Sequence, residues 1–151
     1  MPQAIWWNAL AEGGVKRIAG VALALLSALG GSANAAEVPY RTHEQIREGA
    51  LALIAQLRTE GAVAALTTAR AESHLDDPKV QRNLDWAERE LPAHLAPLGA
   101  CQRASLSDAE RFASSFYRLH FVLSCAGGER QIMLTYRRKT DGWRLNQFYF
   151  D

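Results

Sequence analysis

Arg118-Leu119-His120-Phe121-Val122-Leu123, Gly127-Gly128, Ile132-Met133-Leu134-Thr135-Tyr136, Asp141-Gly142, and the closing run Trp143-Arg144-Leu145-Asn146-Gln147-Phe148-Tyr149-Phe150 decide the fold. Apolar residues alternate with polar ones through each long segment, the period of a strand with one buried face. The glycine-bearing dipeptides between segments are hairpin signals, so the three segments form an antiparallel meander. With Gly127-Gly128 and Asp141-Gly142 as two-residue loops, the register follows. Leu123 then faces Ile132, Phe121 faces Leu134 and Leu119 faces Tyr136. In the second hairpin Tyr149 lies beside Leu134, Gln147 beside Tyr136 and Leu145 beside Arg138. One face collects Leu119, Phe121, Leu123, Ile132, Leu134, Tyr136, Trp143, Leu145 and Tyr149.

Upstream the period is helical. Thr42 and Gln45 have capping-box spacing, and Ile46, Ala50, Leu53, Ile54 and Leu57 recur on one side of a helix over about 43–60. Gly61 interrupts it, and Val63, Leu66 and Ala69 predict a second short helix ending near Ser73. After the loop His74–Asp77, Asp77 caps a third helix with Pro78 in its first turn, striped by Val80, Leu84, Ala87, Leu91 and Leu95. Pro92 is expected to kink or end that helix early, and Pro97-Leu98-Gly99 closes it. From Ala100 to Leu106 the alternation supports a first strand. Ser107 and Glu110 also have capping-box spacing, so a helical turn near 108–114 is the competing reading.

The N-terminal segment, residues 1–35, reads as a Sec-type bacterial signal peptide. Lys16 and Arg17 precede a short uncharged run, Ile18 to Leu29, and Ala33-Asn34-Ala35 places small residues for cleavage before Ala36. An uncleaved anchor is the competing reading. The expected mature product is periplasmic or secreted, with a short linker over 36–42, a single domain over 43–151 and no membrane association after cleavage. The chain carries 17 Lys+Arg against 16 Asp+Glu, and losing Lys16, Arg17 and Glu12 with the signal leaves 15 of each. A neutral product carries no electrostatic footprint for nucleic acid. Its 48% hydrophobic and 22% charged residues are those of a packed domain rather than a disordered chain. Two cysteines in an oxidising compartment favour a Cys101 to Cys125 disulfide. Against the bridge stands parity: Cys125 shares a face with Leu119, Phe121 and Leu123, whereas Cys101 lies opposite in phase to Ala104 and Leu106. Two buried thiols therefore stay open as the alternative, unless a bulge intervenes.

Helices first, then a meander ending in Asp141-Gly142-Trp143-Arg144-Leu145 and an aromatic strand, resembles the nuclear-transport-factor-2-like (cystatin-like) superfamily over roughly residues 43–151. More narrowly the chain resembles its short secreted bacterial members. The resemblance implies an α+β domain in which N-terminal helices pack on a curved antiparallel β-meander, a cone able to hold a small apolar ligand. It also implies frequent dimerisation, and the superfamily includes isomerases and dehydratases.

No nucleotide-binding or zinc motif is present, and His43, His74, His94 and His120 form no i,i+4 pair, so neither cofactor nor metal is expected. His120 falls on the sheet face away from the core. Inside the cone an isomerase would need an acid or base and a donor for a developing oxyanion. The polar groups on the core face are Tyr117, Tyr136, Gln147 and Tyr149, the candidate pocket, and none is a carboxylate. A helix carboxylate such as Asp85 could reach inward, but its spacing places it off the stripe held by Val80, Leu84, Ala87 and Leu91. No catalytic residue is therefore assigned. On the opposite face Val122, Met133, Phe148 and Phe150 cluster as a candidate interface for a second copy or another envelope protein. The expected function is a non-catalytic binding or assembly module of the envelope, with an isomerase or dehydratase as the alternative.

Overall fold

The computed structural model describes residues 38–151; the signal segment and the cleavage position before Ala36 lie outside them. Helix α1 spans His43–Glu60, opened by the Thr42/Gln45 capping box, and buries Ile46, Ala50, Leu53, Ile54 and Leu57. Gly61, at φ 92°, turns the chain into α2, Ala62–Ala71, which buries Ala65, Leu66 and Ala69. Helix α3, Pro78–Leu95, starts where Asp77 accepts the Lys79 amide, and its buried residues are Val80, Leu84, Ala87 and Leu91. Pro92 does not end it early, contrary to expectation: α3 runs on to Leu95 and a single 3-10 turn, Ala96–Leu98. Proline removes one amide here, one turn from the helix end, while the Ala96 amide still donates to Pro92 O and Leu91 stays anchored in the core. Among the described residues no helix is long and apolar enough to cross a membrane.

Four strands follow, β1 (Cys101–Phe112), β2 (Phe116–Cys125), β3 (Gly128–Lys139) and β4 (Gly142–Phe150), in one antiparallel sheet of order β1-β2-β3-β4. The helical turn considered near 108–114 is absent: residues 108–112 stay extended against β2, and 113–115 form the turn between β1 and β2, with Ala113 at φ 50°. Two irregularities, after Cys101 and after Leu106, break the β1 register. The first removes the parity objection. With an extra residue between Cys101 and Arg103, Cys101 sits directly opposite Cys125, and the two form a disulfide.

Both hairpin loops lie one residue earlier than expected, at Ala126-Gly127 and Thr140-Asp141, with Gly128 and Gly142 just after them at φ 136° and 134°. In the first hairpin the pairing slides by two residues, so Phe121 faces Ile132, Leu119 faces Leu134 and Tyr117 faces Tyr136. An even slide keeps every side chain on its expected face. The second hairpin differs. Tyr136 pairs with Leu145, but Thr135 pairs with Gln147, leaving Asn146 as a bulge. A one-residue offset reverses everything beyond it. Phe148 and Phe150 therefore turn into the core, 0% and 3% exposed, and Tyr149 turns out, 45% exposed. This corrects two expectations: Phe148 and Phe150 do not lie on the outer face with Val122 and Met133, and Tyr149 does not lie on the inner one.

The outer edge of β4 is covered along its length. Tyr40 and Trp143 exchange two backbone hydrogen bonds at 2.9 and 2.8 Å, so the expected linker contributes a strand bridge. The Leu145 amide donates to Glu72 O and the His74 amide to Leu145 O. Asn83 on α3 accepts the Phe148 amide at 2.8 Å and donates to Phe148 O at 3.0 Å. Three separate segments thus satisfy an edge that would otherwise template aggregation.

Candidate functional site

Fastening the Glu72–His74 segment to β4 carries one acidic side chain into the interior. Glu72 follows the last residue of α2, its amide held by Thr68 O, and is 9% exposed. Around it lie Tyr40 and Tyr136, both fully buried, with ring centroids 5.8 Å apart in edge-to-face contact. The Tyr40 hydroxyl lies against Gly49 of α1, where a Cβ would overlap it, so this helix needs glycine at that turn. Glu72 Oε2 and both tyrosine hydroxyls are buried without a hydrogen-bond partner. Burial lifts the Glu72 carboxyl from 4.5 to about 7. The nearby Tyr40 hydroxyl eases that shift without forming a hydrogen bond of regular geometry. Burial and the Glu72 charge push both phenols upward, so they stay protonated. Among the described residues no cation pairs with Glu72. An acid that titrates near neutrality beside two phenol donors has the composition of an acid–base site. What it lacks is room, because Tyr40 and Tyr136 beside it belong to a continuous cluster of fully buried side chains that includes Leu53, Phe121 and Phe148.

A second constellation lies at the surface where α1 begins. His43, Glu44 and Arg47 of α1 face Ala109 and Arg111 of β1 and Tyr117 of β2 across a cleft of about 410 Å³. The His43 ring lies 4.4 Å from the Tyr117 ring and 5.1 Å from that of Trp143. Arg138 lies over the Trp143 ring at 5.8 Å. His43 Nε2 is shielded from solvent and has no partner. Burial first, and then Arg111, Arg138 and Arg47, lower the His43 pKa, so the neutral ring is favoured.

The expected pocket residues diverge. Tyr117 walls the cleft at His43, Tyr136 is in the interior, and Gln147 lines a separate groove of about 320 Å³ with Asp77, Asn83 and Arg137. Tyr149 stacks at 6.1 Å on Trp86, outside the core. Asp85 does not reach inward but pairs with Arg70 at 2.8 Å. His120 is on the outer face, as expected, opposite Met133 and 3.2 Å from Glu110. Val122 and Met133 are half-buried there. Among the described residues no group of three or more His, Cys, Asp or Glu is placed to hold a metal ion. Sequence reasoning missed Glu72 and Tyr40, which sit outside any periodic run. The cue was there in part: a lone Glu between the α2 stripe and the Asp77 cap, in a segment too short to stay far from the sheet.

No protein-family model matches this chain, and no curated protein does. Among solved structures it is similar to one described as "De novo designed NTF2 fold protein NT-9", at 15% identity, covering 72% of this chain and 85% of that one, with a TM-score of 0.49. Three helices followed by a four-stranded antiparallel meander make this an α+β domain, in the element order expected from the superfamily resemblance.

Proposed function

We propose that this chain is a non-catalytic binding module of the bacterial cell envelope that engages its ligand or partner at the surface rather than inside the cone. The observation that carries this reading is the filled interior: the side chains from α1, β2, β3 and β4 that would line a ligand chamber pack on one another instead. The Cys101–Cys125 disulfide supports an oxidising compartment, in keeping with the signal-like N-terminus. Native mass spectrometry of mature protein recovered from its host envelope tests the proposal. A retained small molecule, a second copy or an envelope protein supports it; bare monomer together with no partner on crosslinking refutes it.

One observation favours the isomerase or dehydratase reading, namely the Glu72 acid between two unpartnered phenols. That reading requires the interior to open around a substrate. It predicts a bound mass that disappears on Tyr136→Phe, whereas a ligand held at the surface survives that change.

A further inference from the structure

We propose that the cleft between the start of α1 and strands β1 and β2 binds a small dianion, a dicarboxylate or a phosphate monoester. The inference deepens the binding-module reading and rests on it. Arg47 from α1 and Arg111 from β1 line this corner, and Arg138 from β3 lies beside it, over the Trp143 ring that packs against His43. Among the described residues none of the three has a carboxylate within ion-pair distance, a state they share with Arg41, Arg58, Arg82, Arg103 and Arg130 but not with Arg70, Arg89, Arg118, Arg137 and Arg144; what sets Arg47 and Arg111 apart is that they line one cleft. Unpaired guanidiniums held together repel one another, and the planar fork of each matches a carboxylate or phosphate. Glu44 on the cleft rim offsets one positive charge, and with Arg138 beside the cleft the guanidiniums exceed it by two. His43 adds a buried ring nitrogen without a partner, and Tyr117 closes the wall behind it. The cleft volume, about 410 Å³, is in the range of small-molecule sites.

The His43 imidazole is the reporter. The charged and titratable groups facing it are Glu44 and Arg47 on α1, Arg111 on β1, Tyr117 on β2 and Arg138 on β3. A bound dianion favours the imidazolium and raises the pKa that the arginines lower. The experiment titrates the His43 ring by NMR in the mature protein at fixed ionic strength, with succinate, inorganic phosphate or acetate as the probe. Succinate or phosphate should raise the His43 pKa by roughly half a unit or more, saturably. Acetate should do less, and Arg47→Gln with Arg111→Gln should weaken the response at least tenfold. Both arginines are exposed, and an unchanged spectrum elsewhere shows that the variant is folded. A larger effect of succinate than of phosphate assigns a dicarboxylate, and the reverse a phosphate ester. A response equal to that of acetate, or one that survives the double substitution, overturns the site. That failure is distinct from failure of the binding-module reading, since native mass spectrometry can still find a ligand or partner elsewhere.

Discussion

Replacing Glu72 with Gln should leave a stability difference that grows with pH. The carboxyl rises from 4.5 to about 7 on folding because the interior that closes over it supplies two phenols but no cation. The folded state therefore binds the proton more tightly than the unfolded chain. The stabilisation that this confers is fully present below about 4.5 and is lost as pH rises through about 7. At 1.36 kcal/mol per pKa unit the shift corresponds to about 3 kcal/mol. Relative to wild type, Glu72→Gln should thus gain less than about 0.5 kcal/mol from this source at pH 4.5 and about 3 kcal/mol by pH 8, or roughly 10 °C in Tm for a domain of this size. Urea unfolding of both proteins at half-unit steps from pH 4.5 to 8 reads it. His43 and His74, whose pKa values are lowered mainly by burial, bend each curve the other way, because neutral imidazoles stabilise the fold as pH rises. They are present in both proteins and cancel in the difference. A constant offset, from altered packing of the amide, also leaves the slope untouched. A difference that stays flat from pH 5 to 8 would mean that Glu72 ionises as a solvated carboxylate, and the closed interior would be wrong.

Three further outcomes follow from the packing. Phe148→Lys, harmless had Phe148 been on the outer face, should unfold the domain or cost more than the 3–5 kcal/mol typical of deleting a buried aromatic; circular dichroism melts check it. Gly49→Ala gains up to about 1 kcal/mol of helix propensity but forces Tyr40 out of its seat, so a net loss of about 1–2 kcal/mol is expected in denaturant melts. Cys101→Ser with Cys125→Ser should cost about 3 kcal/mol in the loop-entropy estimate for a sequence separation of 24, and thiol titration of denatured wild type should find no free thiol.

The helices were legible because their signals are local and redundant. The Thr42/Gln45 box, the Asp77-Pro78 start and the apolar stripes each point to the same boundaries, and all three helices form there. Pro92 misled because its cost depends on how near the helix end lies, which depends in turn on Leu91 reaching the core. The interior acid was hidden for a different reason. Glu72 owes its raised pKa to burial beside Tyr40 and Tyr136, 32 residues before it and 64 after it in sequence, and the pairing of Leu145 with the Glu72–His74 segment fastens it there.

The bulges form an intermediate case, since their signature is present but requires a different question of the sequence. Strict alternation places Trp143 and Leu145 on one face and then meets Gln147, while Phe148 and Phe150 fall on the other parity. Reading only the residues whose side chains carry no hydroxyl, amide or charge gives 143, 145, 148, 150, with Tyr149 left out, and a step of three interrupts steps of two. That extra residue is Asn146, the bulge. The same step of three separates Cys101 from Ala104 and Leu106 from Ala109, and both intervals contain a register break. Burial explains the coincidence. A strand that keeps apolar side chains facing a helix layer on both sides of a three-residue step must absorb the odd residue by bulging, because the alternative exposes two or more large side chains at about 1.5–3 kcal/mol each. Bulges of this kind also sharpen the local twist, and here they fall on β1 and β4, the two outer strands of the sheet, which pack against α1 and α3. The phase break that displaced Phe148 and Phe150 from the expected outer patch is therefore what turns both rings into the core between the sheet and the helices.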